Sequence, residues 1–598
     1  MALRTRISVW VLSAAFAALT SIEALQRYFT YHNRTYDLAL YARQAWGLAH
    51  GDFWDPIVNA HFLGTHVAVV LWPLGVLGRS FGTVPVLLFA QGLSLALCAL
   101  PLADMAARRF GDRGALAATV AFLLYPNLGH VATYEFHPGS LGLLPLTLAL
   151  EAIDRRHALS LLVCSVALLL CRADFALLAV LLGVVAFFAA RELRWSAVAV
   201  SSLAVGYLLV QFLVLRPHYW SAHTSFDLHF GPWGGSPFGI VRALFTHPSL
   251  VFAHFSTAAR LSYLPRVLLP LLFLPLLAPR WLLIALPVFA INLISTFPTI
   301  TGLYSHYLTP AVPVLLVAAL DGLQRLVGWI KHAAAQPWLL QLLAAAALCA
   351  SWLVGGLPWS RDFEREAFER DAFSAQAAHM VEQLPARASV QAPDALLPHL
   401  IERHDLHRAP PPDHSSEYVV LDVSHRVRYA HREDLLRTTE EPVVRTWLAR
   451  RDYGIVDVEP QLLLLQRGAD PRSGPVRRYL DDFPGRRSAV VLTRCLLLLS
   501  AWLTDEGLEL ELFSHAPCPS DLALRIGTGP KPERVDLLFD GLLSPANLRD
   551  EYLSSWHELS AAERAVIVKH GLRIGALRSS GAPPEKADPV SIPVGLIH

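Results

Sequence analysis

The sequence has few charged residues for its length. Charged side chains make up 17% of the 598 residues, whereas a soluble chain carries about 25%. The deficit lies before Pro358, where charges stand in small clusters between long apolar runs, while from Arg361 onward they are frequent. The formal net charge is only +1, so no overall field attracts nucleic acid, and we expect no nucleic-acid partner.

The chain also lacks the motifs that identify several enzyme classes. It contains no Walker motif, no Gly-rich dinucleotide loop and no zinc-protease helix. Cysteines are few as well, and four of the six lie in apolar runs, where Cys is usually a small buried residue. The other two, Cys495 and Cys518, can form a disulfide only outside the cytoplasm, and the sequence leaves their pairing open.

Apolar runs fill the first 360 residues. A helix needs about 20 apolar residues to cross a bilayer, and some of the runs are shorter, so we expect 10–12 crossings. Because many runs follow the first, which begins after Arg4 and Arg6, we interpret it as an uncleaved helix with its N-terminus inside. The candidate runs are about 8–26, 62–78, 84–106, 115–133, 138–151, 158–173, 175–190, 196–216, 262–278, 281–298, 307–327 and 338–356.

The loops between these runs are of two kinds. Basic loops should face the cytoplasm, and they are 108–113, 155–156, 191–194, Arg280, and Arg325 with Lys331. Loops rich in His, aromatic and acidic residues should face outward, and they are 30–65, 125–138, 171–174, 216–260 and 299–307. This predicts a multi-pass protein of the inner (plasma) membrane with residues 361–598 outside, although the number of crossings within 62–106 stays open.

The polar part is predicted to contain two domains after the transmembrane domain, 1–360. Residues 361–468 combine a helical pattern at 363–384 with short apolar strands at 418–421 and 461–466, which indicates an extracytoplasmic α/β domain. Residues 469–598 contain β-rich runs at 488–492, 508–512, 522–526 and 534–539. The alternation at 508–512 and the Gly and Pro residues between the runs predict a sandwich-like domain.

Three groups of polar residues in the outward loops are candidates for chemistry. Asp37 begins an amphipathic helix over 36–48 that should lie near the outer surface, and it is either a functional carboxylate or an acid favoured by the helix dipole. His61 and His66 can bind a metal or a phosphate, or simply form hydrogen bonds at the interface. Glu135 and His137 precede Pro138 and suit acid–base chemistry, cation binding or a capping loop.

Two further groups lie at the ends of later runs. Arg172 can grip a lipid phosphate with its planar fork, or it forms an internal ion pair with Asp174. His306 and Tyr307 can contact a phosphate or a sugar, or belong to an interfacial aromatic belt. Because all five groups project to one side of the membrane, we expect them to line one outward-facing cavity.

The order of these motifs resembles a known family. Tyr36-Asp37-Leu38-Ala39, Gln44-Ala45-Trp46, residues 61–66, Phe136-His137-Pro138 and Arg172-Ala173-Asp174 resemble a large prokaryotic family of predicted membrane proteins, known as a domain of unknown function. The resemblance covers about residues 10–467. That family is similar to GT-C glycosyltransferases, which use polyprenyl-phosphate sugars as donors. The resemblance implies that Asp37 corresponds to the catalytic acidic residue of the first outward loop, and the β-rich tail resembles carbohydrate-binding sandwiches.

Three functional hypotheses follow. The first is a membrane glycosyltransferase that moves a sugar from a polyprenyl-phosphate donor to an unknown acceptor at the extracytoplasmic face, with Asp37 as general base. The alternative is a transporter or flippase for a lipid or lipid-linked sugar, without covalent chemistry. The third is a metal-dependent enzyme with His61, His66, Glu135 and His137 as ligands, so a divalent cation stays open, although no cofactor is required. The residues assigned to substrate or lipid phosphate are His61, His66, Glu135, His137, Arg172, Asp174, His306 and Tyr307.

Overall fold

Two compact units, Met1–Arg370 and Asp371–His598, make up the chain. The computed structural model describes residues 1–219, 229–331, 335–409, 415–422, 447, 450, 452–459, 462–469, 477–479, 490–503, 507–514, 518–519, 522–527, 534–537, 551–578 and 590–592. The first unit is helical and the second is rich in strands. The expected helical membrane-type bundle followed by a C-terminal β-sheet region is thereby confirmed.

Helices of very different lengths build the first unit, together with one short hairpin. The helices are α1 (Leu3–Phe29), α2 (Asp37–His50), α3 (Leu71–Phe81), α4 (Thr83–Leu97), α5 (Ala99–Leu123), α6 (Pro126–Ala132), α7 (Pro138–Leu141), α8 (Leu143–Arg155), α9 (Ala158–Cys171), α10 (Phe175–Ala189), α11 (Arg194–Val210), α12 (Arg216–Tyr219), α13 (Pro237–Thr246), α14 (Pro248–Phe255), α15 (Ala258–Leu261), α16 (Tyr263–Leu268), α17 (Pro279–Ile294), α18 (Ala311–Ile330) and α19 (Ala335–Val354). Strands β1 (Trp54–Asp55) and β2 (Ala60–His61) pair antiparallel.

Five helical segments among the described residues are long and apolar enough to cross a membrane. They are Leu3–Phe29, Thr83–Leu123, Arg191–Tyr219, Ala311–Ile330 and Ala335–Val354. Three shorter apolar helices, α9, α10 and α17, accompany them. The apolar runs of the sequence therefore fold into shorter and more broken helices than their hydropathy indicates, and the number of 10–12 crossings stays a prediction.

Two of the predicted spans are interrupted for visible reasons. The run 62–78 forms a 3-10 turn and then α3, whose 11 residues measure about 16 Å, roughly half of the hydrocarbon thickness. In the run 262–278, Leu272 and Phe273 take φ values of 54° and 57° between two proline-containing 3-10 turns. Proline has no N–H to donate, so the run 262–278 does not continue as one helix. The run 62–78 does not span because α3 is too short.

The N-terminus and two of the basic loops lie at the same end of the first unit. Gly111, with φ 66°, breaks α5 within the basic loop 108–113. Arg108 Nη2 lies 2.6 Å from Asp154 Oδ2 next to the basic loop 155–156, and the backbone N–H of Ala2 donates to Asp112 Oδ1 at 2.9 Å. This common location is what the positive-inside interpretation requires, while the side of the membrane stays a prediction.

Helix α2 is largely buried within the first unit. Ten of its 14 residues are buried, and its polar side chains pair with nearby acidic residues, because Arg43 Nη2 lies 2.5 Å from Asp52 Oδ2 and Gln44 Nε2 donates to Asp55 Oδ2 at 3.0 Å. Gly75 of α3 allows the close approach, since a Cβ there would lie 1.9 Å from the carbonyl oxygen of Ala45. Helix α2 is therefore a packed element of the unit, and its location near the outer surface of the membrane stays a prediction.

A π-helical turn, Gln211–Leu215, joins α11 to α12. Gln211 is 1% exposed, and its Nε2 donates to the carbonyl oxygen of Thr65 at 3.2 Å. Such i→i+5 turns are rare and usually occur once within a helix. Here the turn brings the end of α11 to the loop 61–66.

The second unit begins with helix α20 (Ala372–Gln383) and a mixed sheet. Asp371 and Ser374 form a capping box at the start of α20, so the helix begins nine residues later than the predicted pattern at 363. The sheet has the order β4-β3-β5-β7-β6, in which β3 pairs parallel with β4 and β5, and β7 pairs antiparallel with β5 and β6. The strands are β3 (Val390–Ala392), β4 (Leu406–Arg408), β5 (Tyr418–Asp422), β6 (Tyr453–Glu459) and β7 (Leu462–Arg467).

Two antiparallel sheets, with orders β8-β14-β11-β10-β9 and β13-β12-β15-β16, share one apolar core. Leu498 and Leu510 of the first sheet cluster with Leu524 and Ile574 of the second. The strands are β8 (Arg477–Tyr479), β9 (Val490–Val491), β10 (Leu496–Leu503), β11 (Gly507–Ser514), β12 (Leu522–Gly527), β13 (Arg534–Leu537), β14 (Glu551–Glu558), β15 (Leu572–Arg578) and β16 (Val590–Ile592), with α21 (Ala561–His570) before β15. Cys495 and Cys518 form a disulfide. Positions 461, 488, 489, 538 and 539 of the predicted strands lie outside the described residues, and the domain boundary at 468 stays a prediction.

Candidate functional site

Asp37, His137 and His306 meet in the first unit. His137 Nε2 lies 3.1 Å from Asp37 Oδ2, although the two residues are 100 positions apart in the sequence. The rings of His137 and His306 stack with centroids 3.8 Å apart and planes 24° apart. The His137 side chain is 3% exposed and that of Asp37 is 26% exposed, so the carboxylate remains open to a ligand while the imidazole behind it is enclosed.

The hydrogen bonds of His137 determine how many protons it shares with Asp37. Nδ1 lies 3.2 Å from the backbone carbonyl oxygen of Glu135, which can only accept, so Nδ1 carries a proton. Nε2 of a neutral ring would then offer a lone pair to Asp37 Oδ2, and two lone pairs repel each other. A further proton therefore lies between His137 and Asp37, as an imidazolium–carboxylate pair or as an imidazole–carboxylic acid pair.

A buried amide holds the backbone around His137. Gln91 Oε1 accepts the backbone N–H of His137 at 3.0 Å, and Gln91 Nε2 donates to the carbonyl oxygens of Val131 at 2.9 Å and of Glu135 at 3.1 Å. Gln91 is 0% exposed and was not among the predicted site residues. The signal that indicates such a residue is an amide inside the apolar run 84–106, because a buried amide needs partners.

Glu135 fixes the loop that carries Asp37. Its Oε1 accepts the backbone N–H groups of Arg34 and Thr35, both at 2.6 Å, and its Oε2 accepts the Thr35 hydroxyl at 2.5 Å and the N–H of Leu38 at 3.4 Å. Burial raises the pKa of Glu135 to about 7, the charge of Asp37 adds to the rise, and the hydrogen bonds of Thr35 and Arg34 oppose it. These contacts place Glu135 in the support of the site rather than at its open face.

Arg172 and His66 come from two loops that are joined by backbone hydrogen bonds. Ala173 N–H donates to the carbonyl oxygen of His66 at 3.0 Å, and Val70 N–H donates to that of Leu170 at 3.1 Å. Arg172 Nε lies 2.8 Å from Asp174 Oδ1. Asp174 is the more exposed partner, with 45% of its side chain accessible against 12% for Arg172, so the guanidinium is held in place from its outer side.

Several charges act on Asp37. Burial opposes its ionised form, but the hydrogen bond and the charge of His137, together with His66 and Arg172, outweigh this effect, and the pKa of Asp37 lies below its usual value. Burial, followed by the charge of Arg172, lowers the pKa of His66 to about 3. The same two causes, with the charge of His137, lower the pKa of His306 well below its usual value. Both rings are therefore neutral at physiological pH.

Tyr307 extends the cluster on the side of His306. Its ring centroid lies 4.1 Å from that of His306, and its hydroxyl lies 3.3 Å from Nε2 of His229. His229 Nδ1 in turn lies 2.9 Å from the hydroxyl of Ser295. His229 was not predicted as a site residue, although it lies in the stretch 216–260 that the sequence marks as rich in His and aromatic residues.

His61 lies apart from these residues. Its ring stacks between Phe53, at a centroid distance of 5.8 Å, and Tyr219, at 4.5 Å. Its Nδ1 accepts the backbone N–H of Leu63 at 3.1 Å, which caps the 3-10 turn Phe62–Gly64. The structure thus brings together eight of the nine predicted residues, with Glu135 as support, and gives His61 a structural environment.

One His/acid group at this site has the spacing of metal ligands. One ligand atom from each of Asp37, His137 and His306 lies within 4.8 Å of the others. The set proposed from sequence, His61 and His66 with Glu135 and His137, is not brought together among the described residues.

The comparisons with known proteins give one family and several distant structures. The sequence profile of the family described as "Predicted membrane protein (DUF2079)" matches residues 27–440. No curated protein matches the sequence.

The similar solved structures include ArnT from Cupriavidus metallidurans bound to undecaprenyl phosphate, at 13% identity and a TM-score of 0.41, covering 76% of this chain and 97% of that chain. An Archaeoglobus fulgidus oligosaccharyltransferase tethered with an acceptor peptide has 11% identity and a TM-score of 0.39, covering 76% and 73%. The archaeal oligosaccharyltransferase AglB of Archaeoglobus fulgidus, in complex with an inhibitory peptide and a dolichol-phosphate, has 13% identity and a TM-score of 0.37, covering 70% and 69%.

Proposed function

The chain belongs to the family of predicted membrane proteins DUF2079, and we propose that it transfers a sugar from a polyprenyl-phosphate donor to an acceptor hydroxyl. Asp37 is the general base of this proposal. The observation that carries it is the pairing of Asp37 with His137, at 3.1 Å, beside the guanidinium of Arg172. A carboxylate base next to cationic and N–H donor groups suits a reaction in which a hydroxyl loses a proton while a phosphate leaves.

The two oxygens of Asp37 have different surroundings. Oδ2 faces His137, whereas no described residue donates a hydrogen bond to Oδ1. Because the carboxylate is partly exposed, Oδ1 is the atom that can accept a proton from an acceptor hydroxyl. In the imidazolium form of the pair, the charge of His137 holds Asp37 ionised and ready to accept that proton.

The chemical step is a single displacement. The acceptor oxygen forms a bond to the anomeric carbon of the sugar as the bond from that carbon to the phosphate oxygen breaks. The acceptor proton moves to Asp37, and polyprenyl phosphate leaves with the bonding electron pair. Attack and departure on opposite faces invert the anomeric configuration.

The leaving phosphate gains negative charge, and the site contains groups that match it. Arg172 presents a planar cation whose geometry suits phosphate oxygens, and the neutral rings of His66 and His306 each offer one N–H donor. The hydroxyl of Tyr307 is a further donor. Asp174 holds Arg172 from the exposed side, which fixes the guanidinium before the substrate binds.

An extracytoplasmic location of the site and of the second unit is part of the proposal. The basic loops support it. They alternate along the sequence with the segments that carry Asp37, His137 and Arg172, so the two kinds of loop are expected on opposite sides of the membrane. The disulfide between Cys495 and Cys518 supports it as well, since disulfides persist in oxidising compartments. The bilayer and a lipid-linked donor are therefore the proposed partners, with the acceptor open.

Reconstitution with radiolabelled polyprenyl-phosphate sugars tests the proposal. Purified chain in proteoliposomes, supplied with membrane extract as acceptor source, should release polyprenyl phosphate and form a labelled product. We expect Asp37→Asn to reduce the rate at least 100-fold, which is the lower end of the usual contribution of a general base. Asp362→Asn, whose side chain is 77% exposed, is the matched control and should keep the wild-type rate.

Two results would contradict the proposal. Equal transfer by Asp37→Asn and wild type would remove Asp37 as the base. Movement of labelled lipid across the bilayer with no product formed, in wild type and variant alike, would favour the transporter alternative instead.

A further inference from the structure

A second group of ligand-type side chains lies in the second unit, far in sequence from Asp37. His379 Nε2 lies 3.3 Å from Asp457 Oδ2 and 3.8 Å from Glu459 Oε1. One ligand atom from each of these residues lies within 4.8 Å of the other two. The side-chain amide of Gln383 joins them, 2.8 Å from His379 Nε2 and in contact with Asp457. We call these four residues the 379/457 cluster.

The local structure explains why the four side chains converge. His379 and Gln383 are four positions apart on α20, so they lie on the same face of the helix. Asp457 and Glu459 are two positions apart on β6 and project to the same face of the sheet. A register shift between Ile455 and Asp457 precedes this pair, and such bulges re-aim the side chains that follow them. Because β6 is an edge strand, the cluster connects a helix to the border of its sheet.

Two carboxylates and one imidazole meet in the cluster beside the amide of Gln383. One ligand atom of Asp457 and one of Glu459 lie within 4.8 Å of each other, and carboxylates brought this close repel each other, so a cation placed between them would relieve that repulsion. The side chains are partly accessible, at 52% for His379, 26% for Asp457 and 27% for Glu459, so an ion from solution can reach them.

The geometry points to a binding site for one first-row divalent cation of the Zn²⁺ class at His379, Gln383, Asp457 and Glu459. Ligands bound at about 2.1 Å in tetrahedral geometry are about 3.4 Å apart, and the separations of 3.3 and 3.8 Å from His379 Nε2 match that value. Carboxamide nitrogen and oxygen differ by a half-turn of the amide, so Gln383 supplies its oxygen as the fourth ligand. One imidazole with three oxygens selects a borderline cation over Mg²⁺ or Ca²⁺.

A cation at this place would tie α20 to the edge of the sheet. Among the described strands β6 stands at the edge of its sheet, and edge strands need protection from unwanted pairing. The site lies outside the proposed sugar-transfer residues, and its role is structural. Loss of the cation should therefore lower the stability of the second unit and leave the chemistry at Asp37 intact.

Zn²⁺ binding to the full chain tests the proposal. Protein in detergent is stripped with a chelator and dialysed against Zn²⁺, and bound metal is counted by mass spectrometry. We expect His379→Ala and Asp457→Asn each to hold one equivalent less than wild type, or to bind that equivalent at least tenfold more weakly. His570→Ala, an exposed histidine of α21, should keep the wild-type count. The count is repeated in the Asp37→Asn background, so that an ion near Asp37 is not mistaken for this one.

A second measurement does not depend on the folding of variants. In the wild-type chain, bound Zn²⁺ should slow the modification of His379 by diethyl pyrocarbonate at least tenfold, while His570 reacts at an unchanged rate. Equal metal counts in wild type, His379→Ala and Asp457→Asn would overturn the proposal. So would equal reactivity of His379 with and without Zn²⁺, which would leave the cluster as an ion pair.

Discussion

Replacement of His137 by glutamine should move the acidic limb of the pH–rate profile upward. In the wild-type chain the pKa of Asp37 lies below its usual value because His137, His66 and Arg172 outweigh the effect of burial. His137→Gln keeps a hydrogen-bond donor near Asp37 Oδ2 but removes the positive charge and the shared proton. Burial then acts against a weaker opposition, so the pKa of Asp37 rises.

Asp55 of the same chain indicates the size of that rise. It is 1% exposed, its Oδ2 accepts from the amide of Gln44 at 3.0 Å, and its Oδ1 accepts the N–H of Ile57 at 3.0 Å. Burial, opposed by these bonds, raises its pKa to about 6. Asp37 beside a glutamine would keep the opposing charge of Arg172 and is more exposed, at 26% of its side chain, so its pKa should rise in the same direction as that of Asp55 but by less.

The assay is the pH dependence of kcat/KM for sugar transfer, which reports the ionisation of the free enzyme. Each pH unit by which the acidic limb moves upward lowers the ionised fraction of the base about tenfold at a fixed pH below the limb. The limb of the variant should therefore lie at higher pH than that of wild type, and the comparison of the two removes the contribution of Glu135, which has a raised pKa in the wild-type chain. His50→Gln, an exposed histidine at the end of α2, is the control. An acidic limb that is unchanged in His137→Gln, or moved to lower pH, would refute the coupling of the two residues.

Three other substitutions test the support of the site and the second unit, each by unfolding of the full chain in detergent. Glu135→Gln loses a carboxylate that accepts from four donors, so stability should fall by about 2–3 kcal/mol and sugar transfer should slow. The control Glu192→Gln should change neither stability nor transfer. Equal stability of the two variants would argue against the anchoring role of Glu135. Gly75→Ala places a Cβ against the carbonyl oxygen of Ala45 and should cost about 1–3 kcal/mol, unlike Gly206→Ala, where the space is open. Removal of the disulfide in Cys495→Ser/Cys518→Ser opens a loop with a separation of 23 residues and should cost the second unit about 3 kcal/mol; Cys349→Ser, an exposed free cysteine, should cost nothing measurable.

The sequence is informative about the site where a charged or polar residue interrupts an apolar context. Asp37, His137, Arg172 and His306 were predicted to converge because each stands at the end of an apolar run on the same side of the membrane, where an unpaired polar group is costly. His61 follows the same pattern but is used as a cap and a stacking partner. Composition alone does not distinguish a histidine of the site from a histidine with a structural role, because either environment provides the partners that an imidazole ring needs.

The sequence is less informative where long-range packing decides the structure. The contact between Asp37 and His137 joins residues 100 positions apart, and it depends on Gln91, a single amide in an otherwise apolar helix. The length of a hydrophobic run also predicts too much continuity, because Pro270 and Pro275 divide the run 262–278 into short turns. Hydropathy averages over such breaks, while backbone hydrogen bonding responds to each one.

The π-helical turn Gln211–Leu215 changes the direction of every side chain that follows it in the helix. Each additional residue in a helix changes the direction of all later side chains by about 100°, and a π turn inserts one residue relative to α geometry. Deletion of one residue from 211–215 would restore the α repeat and turn Tyr219 away from His61, on which it now stacks at 4.5 Å. The orientation of the loop 61–66, and of His66 within it, thus depends on the count of residues in a helix to which that loop does not belong.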